Sequence, residues 1–578
     1  MITLPPWDPS AADGPTLDAL RARAEAVAGT PWPVPRARDY ARYFRDGDRD
    51  AYEQLIWARD QRLSRAVALA AATGEQAWLD EAGDGIQLLC EQSGWSWPAH
   101  DDTFARHGAV VPTVTDPYLD LGASEIAAQL AWADHVLGDR LDARVPGLRA
   151  RLRHEVDLRV LTPFERRRDW HWLGLDGPVG NWTPWIHGNV LVAATLEHDA
   201  VRRDRLVELA VAGLERYVGA LPDDGAVDEG YSYWWNGAAR LLEALDLLDR
   251  PVTGKVRATV AFPHAVHLGG PWYLNHADGQ ARPTTDQPWA VLHRAARRAG
   301  DGEAEAHAAA HRVPGGPVAH EREGLGRLLR ALTDTAWRDA GPRAAVPRSD
   351  VWFPSTQVLI ARDPTGLTLA VKGGHNGEHH NHNDVGSVVV ALRGVPVLVD
   401  PGRPTYTAQT FSPRRYELWM MQSGWHNTPV PGGVFQEAGV AFAAADVAVE
   451  DSGLSLELGG AYPGGHRWRR TARRERASGR VTVVDVWELA GGGGTTEIRW
   501  MIAGSVRAED GRAEIDALDG AGTVVLTWSP AAPCAVVRRD LDDPMLSDVW
   551  GERLHRLDID VTGLGPVGTL ELTIEELR

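Results

Sequence analysis

Four histidines, His375, His379, His380 and His382, crowd into residues 375–384 with Glu378, three amides and Asp384. Imidazole changes charge near neutral pH and binds metals, so such a cluster suits acid–base work or metal ligation. In an extended segment alternate side chains share a face, which predicts His380, His382 and Asp384 on one side. Asp400 closes an apolar run and begins Asp400-Pro401-Gly402, and His426-Asn427-Thr428 follows. A carboxylate ending an apolar strand needs a partner. His382, Asp400 and His426 make a two-histidine, one-carboxylate set suited to zinc. A hairpin turning at Gly394 would join His382 to Asp400, and the ion would pin the loop bearing His426 in a structural role. Two other readings stay open at this point: a catalytic zinc that activates water, and no metal, with the three side chains bonded to each other.

Two segments further upstream combine aromatic rings with amides and carboxylates. The first, at 180–189, contains Asn181, Trp182, Trp185 and His187. The second, at 228–236, contains Asp228, Glu229, Tyr231, Tyr233, Trp234 and Trp235. Flat rings beside hydrogen-bonding groups suit a sugar cleft. Trp182, His187, Trp234 and Glu229 are the candidates for substrate contact, against the alternative of core packing or helix capping. The chain's 24 Trp outnumber its 8 Phe and 11 Tyr, and most are expected in the core.

The elements that must position these residues fall into two halves. In 51–72, 126–137 and 238–248 apolar residues recur every three to four positions, as on helices with one buried face. Helices joined by short loops can pack as a bundle, a solenoid or a toroid, and periodicity does not choose among these. Past Pro347 the pattern becomes short β-type runs at 357–361, 367–371, 387–392, 395–399, 481–486 and 523–528, bounded by Gly, Asn and Asp-Pro. The expected domains are therefore a helical one over 1–346 and an antiparallel β-sandwich over 347–578.

Composition excludes several classes. A net charge of −19 argues against nucleic acid and anionic membranes. An anionic substrate then needs a locally basic site, for which Arg166, Arg167, Arg168, Arg414 and Arg415 are candidates, unless they are solvated surface. Cys90 and Cys534 are too few for a disulfide framework or a cysteine zinc site. No stretch has the apolar length of a membrane span, and the N-terminus lacks a secretory pattern. The expectation is a cytoplasmic protein acting on short imported oligosaccharides. A homo-oligomer is allowed.

Together these motifs resemble the heparinase II/III-like polysaccharide lyases. The resemblance rests on His380–Asp384, Asp400-Pro401-Gly402, His426-Asn427-Thr428, Glu229-Gly230-Tyr231-Ser232-Tyr233 and Asn181-Trp182, spread over about 160–430. It implies an α+β multidomain fold, an N-terminal incomplete (α/α) helical toroid followed by an antiparallel β-sandwich, with the site between them. It also implies a structural zinc in the β domain. There is one departure: several members have a catalytic His after the Asn, where this chain has Trp182, and the nearest His is His187.

The implied reaction is β-elimination of a uronate in an acidic oligosaccharide or polysaccharide. A base removes the proton at C5, an acid protonates the departing C4 oxygen, and the product is a 4,5-unsaturated uronate. The resemblance assigns Tyr233 as base and acid, which requires a pKa depressed by nearby cations, and Asn181 as the carboxylate's partner. His380 is the second acid–base candidate, and Tyr406 could face the same cleft. A glycoside hydrolase using Asp228 and Glu229 and a non-catalytic sugar-binding protein are the rivals.

Overall fold

The computed structural model describes residues 2–283, 287–341, 350–491 and 494–577. The expected domain boundary at 346/347 lies outside the described residues. Helices dominate up to Arg338, and strands dominate from Val351.

The helical half builds outward from Asp50–Thr73, Leu121–Arg144 and Trp182–Ala193. Each packs on its neighbours in succession, and the late helix Leu325–Leu332 returns to pack on both Asp50–Thr73 and Leu121–Arg144. The same return is tied by Glu321, which bonds Arg23 and Arg65. This closed succession accords with a toroid. Sequence periodicity placed the helices well: 51–72 lies inside Asp50–Thr73, and 238–248 nearly coincides with Ala238–Leu247. It missed a two-stranded hairpin, His267–Gly269 with Trp272–Tyr273.

The β half is a sandwich of two antiparallel sheets. One sheet runs in the order Cys534–Asp540, Arg553–Asp560, Glu497–Ile502, Val395–Leu398, Val388–Leu392, Leu367–Lys372, Val358–Ala361, Val351–Phe353. The other includes Arg467–Arg474, Val481–Glu488, Val567–Glu576 and Thr523–Ser529. Their burial patterns differ for a physical reason. In the first sheet Val388, Val390 and Leu392 face the sandwich core, whereas Val389 and Ala391 join the core of the helical half. A strand buried on both faces has no polar alternation, and Val388–Leu392 has none. Val481–Glu488, with solvent on one side, alternates.

The turn joining Val388–Leu392 to Val395–Leu398 is Arg393-Gly394, both at positive φ (50° and 86°). This is the two-residue hairpin geometry that favours glycine. A Cβ on Gly394 would lie 2.7 Å from the Cα of Gly269, so the same glycine also lets this hairpin abut the one from the helical half.

Candidate active site

A cleft of about 1620 Å³ runs between the two halves. Its wall from the helical half includes Asn181, Trp182, Glu229 and Tyr233, and its wall from the β half includes His380, Arg403, Tyr406 and Arg415.

Tyr233 sits in the single-turn helix Tyr231–Trp234, entered through Gly230 at φ 87°. A Cβ on Gly230 would fall 2.4 Å from the carbonyl oxygen of His276. That close approach sets Tyr233 beside the loop carrying Asp278. The Tyr233 ring stacks on His380 with centroids 4.0 Å apart. Its hydroxyl lies 2.6 Å from the hydroxyl of Tyr406.

Asp278 is completely buried and organises the site. Its Oδ2 accepts from the Tyr406 hydroxyl (2.9 Å) and faces His380 Nδ1 at 2.7 Å. Its Oδ1 accepts from Arg415 Nη2 (2.8 Å) and faces His382 Nε2 at 3.0 Å. Burial alone would raise this carboxyl's pKa, but the bonds from His380 and His382 and the charge of Arg415 hold it well below the usual range. A carboxylate accepts only, so both imidazoles donate to it. His380 Nε2 is thereby left as an acceptor. It lies 3.8 Å from Glu229 Oε2. Glu229 is buried, and its Oε1 accepts from the backbone N–H of Asn181 (3.2 Å). Burial pushes its carboxyl up to about 7, against the pull of His380.

The histidine-rich stretch is not extended throughout. Only His375–Asn376 forms a strand, and His380 takes a left-handed φ of 54°. His380 and His382 do converge, on Asp278. Asp384 does not join them: it pairs with Lys372 Nζ at 2.6 Å, and Lys372 also binds Glu378 at 2.9 Å. This buried ammonium ties together both ends of the loop that carries His379–Asn383.

His382, Asp400 and His426 come together, completely buried, with ligand atoms within 4.8 Å of one another. His426 Nε2 donates to the carbonyl of Met420 (2.9 Å). Asp400 Oδ1 accepts from the Gly402 N–H (2.8 Å). What remains is His382 Nδ1, His426 Nδ1 and Asp400 Oδ2, all buried and without a hydrogen-bond partner. His426 Nδ1 and Asp400 Oδ2 are 3.1 Å apart but not aligned as a hydrogen bond. Three inward-facing orphan atoms, with the outer imidazole nitrogens held by acceptors, fit a tetrahedral cation such as zinc.

Three expectations need correction. His187 does not reach the cleft. It is completely buried, its Nδ1 bonds the Thr183 carbonyl (2.6 Å), and Phe164 and Trp172 pack on its ring. Trp234 is also fully buried, with its indole N–H donating to the Thr259 carbonyl (2.8 Å). Tyr233 has no depressed pKa: burial, then the charge of Asp278, raise it, and Arg403 offsets only part of this. The candidate arginines do not form a free basic patch in the cleft, in keeping with the alternative that they are surface residues or already partnered. Arg166, Arg167 and Arg168 lie outside the cleft lining. Arg414 pairs with Glu417 at the surface, and Arg415 is committed to Asp278 and to backbone carbonyls.

Sequence reasoning missed Asp278, which sits in an Asn-His-Ala-Asp-Gly stretch that reads as an ordinary turn. It also missed Arg403. This guanidinium lies 4.4 Å over the Tyr406 ring, and its Nε is buried without an acceptor. Its position directly after Asp400-Pro401-Gly402 was the available signal. Trp182 does line the cleft, flanked by the rings of His100 (4.5 Å) and His171 (4.9 Å).

Residues 345–547 match the family described as Heparinase II/III-like, C-terminal. Among solved structures, heparinase III aligns at TM-score 0.66 and 12% identity, covering 99% of this chain and 94% of that one. The heparan sulfate lyase of Pedobacter heparinus aligns at 0.56 and 12%, covering 97% and 87%. The chondroitin AC lyase of Streptomyces coelicolor A3 aligns at 0.52 and 14%, covering 97% and 82%. Comparison with curated protein sequences gives no match. No helix among the described residues is long and apolar enough to cross a membrane.

Proposed function

We infer that this chain, heparinase II/III-like in its C-terminal domain and in its fold, is a polysaccharide lyase that cleaves a uronate-containing glycan by β-elimination. One observation carries the reading. The His380 Nε2 lone pair, the Tyr233 hydroxyl and the Arg403 guanidinium face one cleft, the tyrosine from the helical half and the other two from the β half.

Arg403 and the Asn181 side chain engage the uronate carboxylate. Neutralising that charge acidifies the C5 proton and stabilises the enolate-like state that follows its loss. His380 Nε2 takes the proton. The C5–H electrons form the C4–C5 double bond, the C4–oxygen bond breaks, and the Tyr233 hydroxyl protonates the departing oxygen. A raised pKa keeps Tyr233 protonated and available as that acid. This divides between two residues the roles that the resemblance gave to Tyr233 alone. Tyr406, bonded to Tyr233 and to Asp278, offers a proton path back to the tyrosine.

His382, Asp400 and His426 would hold zinc, which would neutralise a buried carboxylate and pin the loop bearing His426. A hydrolase needs a second carboxylate across the scissile bond. Asp228 is tied to His379 at 2.9 Å, and Asp278 is enclosed by four partners, so neither is free for that role.

The test is incubation with uronate oligosaccharides. A rise in the ultraviolet absorbance of the 4,5-unsaturated uronate supports elimination. New reducing ends without that rise would mean hydrolysis and overturn the reading.

A further inference from the structure

The charge balance of the cleft is unusual for a site that receives an anionic polymer. Its lining carries more carboxylates than guanidinium groups, and no lysine. The arginines there are nearly all committed. Arg49 pairs with Glu53 at 2.6 Å, Arg240 with Glu125, Arg327 with Glu243 at 2.8 Å and Arg415 with Asp278 at 2.8 Å. Arg322 is partnered too. Arg403, among the described lining residues, has no carboxylate partner within ion-pair distance and carries a buried Nε without an acceptor.

Several aromatic rings also line the cleft. Trp57 and Trp97 meet edge to face at 6.1 Å, Trp182 lies nearby against His100, and Phe411 is half exposed beneath Arg49. Trp185 donates its indole N–H to Glu125. Such faces stack on the C–H side of uncharged sugar rings. A sulfate or a second carboxylate placed there would find no free guanidinium beside it, because Arg49 and Arg240 are already held by Glu53 and Glu125. The protein's net charge of −19 adds a long-range field of the same sign.

We propose that the cleft selects an unsulfated polysaccharide in which one uronate alternates with an uncharged sugar, the uronate at Arg403 and its neighbours on the tryptophan faces. The proposal rests on the lyase reading for its cleavage assay but not for its binding assay.

Three probe sets decide it. Hyaluronan, desulfated chondroitin and heparosan oligosaccharides alternate one uronate with an uncharged sugar. Chondroitin sulfate and heparin add sulfate to the same plan. Polygalacturonate and alginate carry a uronate at every position. At least one alternating, unsulfated probe should be cleaved, with kcat/KM about tenfold or more above its sulfated counterpart and above the all-uronate polymers. Equal or faster cleavage of a sulfated or all-uronate polymer overturns the proposal. Affinity is measured separately by calorimetry with Tyr233→Phe. If no polymer is cleaved, the lyase reading falls. Tighter binding of the unsulfated alternating probes would still support the selectivity, and tighter binding of sulfated ones, or no binding at all, would overturn it. Glu125→Gln supplies an independent check, because it releases Arg240. The discrimination against sulfated probes should narrow in this variant, and unchanged discrimination would count against the charge argument.

Discussion

Tyr233 and His380 are stacked rings that approach the cleft from different halves, and Asp278 sets the orientation of both through Tyr406 and His380 Nδ1. Tyr233→Phe keeps the ring and the stacking but loses the proton. Turnover should fall by about 10²–10⁴-fold, with substrate affinity largely kept; a variant above half the wild-type rate would remove Tyr233 from the reaction. Glu229 has a distinct pH signature. Its pKa rises from an ordinary 4.5 to about 7 on folding, so the native state holds a proton that the unfolded chain releases. Stability therefore falls as pH rises from about 4.5 to about 7, by up to about 3 kcal/mol. Glu229→Gln removes that loss and keeps an acceptor for the Asn181 N–H. Its stability relative to wild type, read from denaturant midpoints, should grow across this window, and a flat difference would contradict the shift. Much of this scale was legible in sequence: Tyr233, His380, Asn181, Glu229, Tyr406 and Trp182 all line the cleft. His187 and Trp234 were misplaced by helical phase. Trp182 and Trp185 are three apart and share the cleft side of one helix, and His187, two further on, points into the core. Trp234 is turned inward by about 100° relative to Tyr233.

At the scale of elements, the loops bearing His382 and His426 are fixed from behind. Arg470, on the inner face of the second sheet, donates to the Gly386 and Asn427 carbonyls while paired with Asp485, and both side chains are buried. Asn427 bonds the Val388 and Val399 carbonyls, closing the gap where two neighbouring strands diverge. Asp485→Ala leaves a buried charge without its partner and should cost about 3–5 kcal/mol, seen as a lower denaturation midpoint; a loss within 0.5 kcal/mol, roughly that of an ordinary surface change, would show that Arg470 finds other compensation. The cation proposed for His382, Asp400 and His426 belongs to this scale too. Elemental analysis should give near-stoichiometric zinc, and Asp400→Ala should lose it and melt earlier. Protein without metal would sink the proposal. The hairpin at Gly394 and the strands around it could be read from apolar runs and turn residues. The anchoring by Arg470 and Lys372 could not, because an isolated Arg or Lys in a strand carries no mark of the partner it will meet far along the chain.

Across the whole molecule, sequence separated a helical half from a sheet half because apolar residues recurring every three to four positions give way to short β-type runs bounded by Gly, Asn and Asp-Pro. Periodicity could not supply the closed path of the helices, set by contacts such as Glu321 with Arg23 and Arg65, nor the docking that buries Val389 and Ala391. That docking has a consequence in time. The proposed base, His380, lies on one half and the proposed acid, Tyr233, on the other, so on this reading neither half is competent by itself, however native its own structure. During refolding, secondary structure and tryptophan burial should recover as each half forms, while catalytic activity should lag until the halves meet. The proposed activity would thus serve as a clock for assembly. Stopped-flow circular dichroism followed by interrupted activity assays would read the interval, and simultaneous recovery of both signals would mean that the two halves fold as one unit.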